Sequence, residues 1–155
     1  MNENVEKLKK RTKSDMIISF VVSALALIGM VVQFVNYFSE GRVEPGYFKN
    51  GMYGIAIVVV TLILGFVLLD VRKNGTPFTK RVINLLRSLA VIVMITGLLP
   101  EMFTPIIDEA RTGTIHFDIF SGSNVIIIII GVCIGIISEI FVYGYELQKD
   151  NDSIA

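Results

Sequence analysis

The sequence has one cysteine, one histidine and few charges, and each scarcity narrows what the chain can be. Cys133 stands alone inside an apolar run, so no disulfide framework can form within one chain. A thiol in such surroundings is quiet, and Cys133 reads as a small packing residue. His116 has no cysteine near it, which argues against a metal site. There is no Ser/His or paired-Asp arrangement and no phosphate-binding loop, so the chain reads as a non-enzyme that needs no cofactor. No direct contact with nucleic acid is expected. Only 18% of the 155 residues are charged, and the formal net charge is zero.

What is present is apolar side chain: 53% of the residues are hydrophobic and the mean hydropathy is +0.68, outside the soluble globular range. The apolar residues fall into four runs, about 16–38, 51–69, 84–103 and 124–143. The first holds 23 residues without a charge. At 1.5 Å per residue it exceeds the ~30 Å hydrocarbon thickness and can span with tilt. Isoleucine and valine favour strands in water, but an isolated span in lipid must satisfy its own backbone and is therefore helical. The first run is too long for a signal-peptide core, and no small-x-small site follows it, so it is expected to stay as a helix. The fold class predicted is all-α: an integral membrane four-helix bundle forming a single domain over 1–155.

Orientation follows from counting Lys and Arg. The N-terminal tail carries five (Lys7, Lys9, Lys10, Arg11, Lys13), and the loop after the second run with the foot of the third carries five more (Arg72, Lys73, Lys80, Arg81, Arg87). Lys149 brings that side to 11, against three on the other (Arg42, Lys49, Arg111). Both termini are therefore expected in the cytoplasm of a multi-pass cell-membrane protein.

The connections carry their own signals. Asn74-Gly75 marks a turn, since both residues tolerate positive φ. Thr76 before Pro77 fits an N-cap with proline at the first helical position. On the other side, residues 114–120 alternate in polarity and read as a short extended segment that includes His116. Residues 2–15 can form a basic helix lying on anionic lipid, and residues 148–155 read as a frayed end.

Ionisable groups inside spans are costly and usually face protein with a partner. Glu139 lies near the end of the fourth span, and Arg87 lies at matching depth on the third. They are expected to form a salt bridge inside the bundle, with Asn84 adding a hydrogen bond. Gly131 and Gly135 share a face of the fourth span and admit a close helix. That close approach serves packing within the chain or a homo-oligomer. Small residues on the first span (Ser19, Ser23, Ala24, Ala26, Gly29) suggest that it packs there.

Several of these residues also carry a family likeness. Thr76-Pro77-Phe78-Thr79, Asn84, Arg87, Glu139-Ile140-Phe141, Tyr143-Gly144 and Leu147-Gln148 resemble the YoaS-like family of small bacterial membrane proteins, whose function is unknown. The resemblance covers nearly the whole chain. It implies a four-helix topology and, as partner, a small helix-turn-helix regulator. The leading expectation is a regulatory or interaction protein acting through its cytoplasmic face, with Pro77, Phe78, Gly144 and Gln148 as docking candidates. The alternatives are a small transport or permeation subunit, or an immunity protein against membrane-active agents.

Overall fold

The computed structural model describes residues 3–39, 45–113 and 122–154. These residues form four helices: α1 (Glu3–Ser39), α2 (Pro45–Asn74), α3 (Lys80–Thr112) and α4 (Gly122–Ile154). All four are long and apolar enough to cross a membrane. They run antiparallel in succession, so the two ends of the chain lie at one end of the assembly, here termed the terminal end.

The helices do not close into a bundle. Among the described residues, contacts run α1 to α2, α2 to α3 and α3 to α4, and no other helix pair touches. The result is an open row with α1 and α4 at its outer edges. The expected packing of α1 on the glycines of α4 is therefore corrected: α1 belongs to α2. Its serines donate to the backbone of α2, Ser19 Oγ to Thr61 O at 2.6 Å and Ser23 Oγ to Val58 O at 3.3 Å. Bulky side chains of α1 sit on glycines of α2. A Cβ at Gly51 would lie 2.9 Å from the Phe34 ring, and one at Gly65 2.9 Å from the Phe20 ring.

The core lies along α3. Of the buried hydrophobic residues, Val82, Ile83, Leu89, Ala90 and Val93 belong to α3 and Ala56 to α2. By contrast, Val21, Leu25, Ile28 and Val35 of α1 and Ile126, Ile136 and Ile140 of α4 are exposed. Cys133 is exposed as well, so it is not a packing residue within this chain.

Helix boundaries differ from expectation at four places. First, α3 is capped by Thr79, not Thr76: the Val82 N–H donates to Thr79 Oγ1 at 3.1 Å, and Thr79 has extended backbone angles. Second, α3 runs through Pro100 and Pro105 to Thr112 instead of ending near 103. A proline removes one backbone donor, and in this stretch Thr104 Oγ1 donates to Pro100 O at 2.6 Å. The helix stops at Gly113, in the left-handed region at φ 72°, whose N–H donates to Glu109 O. Third, α4 stays helical to Ile154, so the end at 148–154 is not frayed. Fourth, the basic N-terminal stretch continues α1 as one helix. His116 and the alternating segment 114–120 lie outside the described residues.

Candidate functional site

Apart from the α1–α2 serine bonds at mid-helix, polar contacts between helices gather toward the two ends of the row. At the terminal end the central group is Asp70, buried although it is a carboxylate. Its Oδ2 accepts from Asn74 Nδ2 at 2.9 Å and from Thr79 Oγ1 at 2.8 Å, while Arg81 Nη1 stands 3.8 Å from Oδ1. Asp70 thus joins the last turn of α2 to the residue that caps α3. Gly75, at φ 73°, makes the turn between them and donates its N–H to Val71 O.

The same loop reaches across to α4. Thr76 Oγ1 bonds Gln148 Oε1 at 3.1 Å and also accepts from the Phe78 N–H. The Phe78 ring lies 5.4 Å from that of Phe141 and covers Gly144, where an added Cβ would fall 2.5 Å from the ring. Lys80 Nζ sits 5.8 Å above the Tyr145 ring. The structure therefore brings Phe78, Gly144 and Gln148 together, with Pro77 in the loop between the two contacts.

Arg87 and Glu139 meet on α3 and α4. Arg87 Nη2 donates to Glu139 Oε1 at 2.9 Å, and Nε donates to the same oxygen at 3.3 Å. Neither is enclosed: their side chains are 51% and 64% exposed. The pair flanks the α3–α4 seam and does not face an interior, because an open row of helices encloses none at that place. Asn84 is exposed and makes no side-chain hydrogen bond among the described residues. A pair so open contributes about 0.2–1 kcal/mol. Arg87→Ala or Glu139→Ala is therefore expected to lower the unfolding midpoint in detergent only slightly, with partial recovery when the charges are swapped; a thermal-shift double-mutant cycle checks this.

The α3–α4 seam itself is made by Gly131, which lies against Ala90 and Met94, and by Gly97, whose missing Cβ would fall 3.0 Å from Ile128 Cγ1. Asn124 is fully buried there, its carbonyl 3.2 Å from that position. The two glycines singled out on α4 thus pack on α3, within one chain.

The opposite end carries a cluster that sequence reasoning missed. Glu101 of α3 is buried; it is ion-paired with Lys49 and accepts from the Tyr53 hydroxyl at 3.3 Å, both on α2. The signal was available, since Lys49 and Glu101 sit at equal depth at one edge of adjacent spans. Beside this cluster a groove of about 570 Å³ runs between α2 and α4 with α3 as its floor, lined by Lys49, Tyr53, Ile57, Thr61, Thr96 and Ile130 among others. Among the described residues no group of three His, Cys, Asp or Glu is placed to hold a metal ion.

Four helices of spanning length define the class: an all-helical protein compatible with multi-pass membrane insertion. Residues 47–154 match the family described as protein of unknown function (DUF2975), and the chain belongs to that family. No curated protein and no solved structure matches it.

Proposed function

We propose that this is an integral membrane protein, both termini cytoplasmic, that acts without catalysis by binding a soluble regulatory partner at its terminal end. Insertion is supported by the apolar faces that α1 and α4 leave exposed, and orientation by the distribution of Lys and Arg. The observation that carries the reading is the docking of the 75–79 loop on α4, through Thr76–Gln148 and Phe78–Gly144. With that support α4 continues as a helix about three turns past Tyr143. It presents Glu146, Leu147 and Lys149 as exposed side chains on a fixed surface. The narrower YoaS-like resemblance supports a small helix-turn-helix regulator as partner, held at the membrane. A permeation or immunity role has less support, because the groove is mostly aliphatic and holds no continuous polar path.

In-cell crosslinking from the loop and the end of α4, followed by purification in mild detergent, tests the reading. A stoichiometric soluble partner is expected. Gly144→Leu, which drives Phe78 off α4, is expected to cut its recovery about ten-fold with membrane abundance kept. Recovery of self-crosslinks alone would overturn the regulatory reading.

A further inference from the structure

The groove on the open face of the row has a shape and a charge that identify an occupant. Its α2 wall starts at Lys49 and ends at Thr61, halfway along the helix. Twelve residues at 1.5 Å each give about 18 Å, close to the ~15 Å depth of a single leaflet. A spanning helix from a second copy would need a trough twice as long. Apart from Lys49 and Tyr53 at its mouth and two threonines, the residues that line it are aliphatic. Among the described residues no other helix covers it, since α1 packs only on α2.

The mouth carries an ion-paired lysine whose donors are only partly used. Lys49 pairs with Glu101, its one ion-pair partner among the described residues, and its side chain stays one-third exposed. An ammonium has three N–H donors, so two remain for a second acceptor. Glu101 is buried beneath, so it fixes the lysine at the groove mouth while its own carboxylate offers little surface to what lies above.

We propose that this groove seats one acyl chain of an anionic phospholipid from the leaflet at that end, with the lipid phosphate on Lys49. The proposal rests on the bilayer reading above but not on the regulatory one. Lipid chemistry selects the site twice: an aliphatic trough one leaflet deep receives the chain, and a tethered ammonium at headgroup level receives the anion.

The full chain lacks tryptophan, which allows a single-reporter test. Ile130→Trp places the reporter in the groove, and Ile136→Trp places it on the exposed face of α4. Each variant is reconstituted in phosphatidylcholine vesicles containing a minor fraction of brominated phosphatidylglycerol or brominated phosphatidylcholine. At the groove reporter the anionic lipid is expected to quench with an apparent affinity about five-fold higher, the worth of one lysine–headgroup attraction. At the Ile136 reporter the two lipids should quench alike. Adding Lys49→Gln should abolish the preference, and Lys49→Arg should keep it. Should Lys49→Gln fail to fold, Glu101→Gln keeps the lysine, removes its competitor and should leave the preference intact or raised. Equal quenching by both lipids at Ile130 would overturn the proposal. So would quenching at Ile136 with none at Ile130, which means a second copy fills the groove. Absence of quenching at both positions would overturn the bilayer reading together with it.

Discussion

Gly131→Leu is expected to part α3 from α4 and abolish recovery of folded, monodisperse protein. An added Cβ would stand 2.5 Å from Met94 Cγ and 3.0 Å from both the Ala90 carbonyl oxygen and the Met94 nitrogen. The methionine side chain can turn aside, but the backbone of α3 cannot move without opening the seam. Even Gly131→Ala should cost about 1–3 kcal/mol, the range for overpacked interiors. Gly135→Ala is the control. Its Cβ would meet only Ala90 Cβ, at 3.8 Å, an ordinary contact. Alanine also favours the helix over glycine by up to about 1 kcal/mol, so this variant should be neutral or slightly stabilised. Detergent thermal unfolding of the three variants decides the matter, and equal losses at the two glycines would refute the unequal seam.

Asp70→Ala should have the second large effect, about 1–2 kcal/mol of lost stability. It leaves the half-buried Thr79 hydroxyl without its acceptor, and Thr79 is the residue that caps α3, while the exposed Asn74 amide turns to water. Asp70→Asn keeps an acceptor oxygen of nearly the same shape and should recover most of the loss. The charge itself matters less, since Arg81 stands 3.8 Å away on a side chain 65% exposed. Unfolding in mixed micelles at increasing sodium dodecyl sulfate measures both variants. A double-mutant cycle with Thr79→Val should show that the two losses overlap, because one hydrogen bond is counted in each.

The four helices were legible because uncharged runs of this length have few alternatives in lipid. Their ends were less so. The apolar run suggested a stop near 103, yet α3 continues through Pro100 and Pro105 to the cap at Gly113. Pro77 favoured Thr76 as the cap in sequence; the bond from Thr79 to Asp70, nine residues upstream, exists only in three dimensions. Matching depth on neighbouring spans pointed to Arg87 and Glu139, and the same logic would have found Lys49 and Glu101. Which helices adjoin was not legible. Small residues on α1 and α4 suggested a pairing, whereas the partners of α1 are the glycines of α2, filled by Phe20 and Phe34. Composition marks a face as able to pack closely without naming what packs there.

The open row also bears on how the protein is made. Among the described residues every helix touches only its neighbours in the chain, so helix packing can follow the order of synthesis, and the contacts of the 75–79 loop with Gly144 and Gln148 form last. The α1–α2 hairpin, with its serine–backbone bonds and ring-on-glycine contacts, can be complete before α3 leaves the ribosome. The α3–α4 hairpin then needs only to dock on α2 through Asp70 and Glu101, one polar fastening near each end. Short-range contacts of this kind favour fast assembly. They also make the α2–α3 connection the natural place to divide the chain, with two separately synthesised hairpins able to find each other.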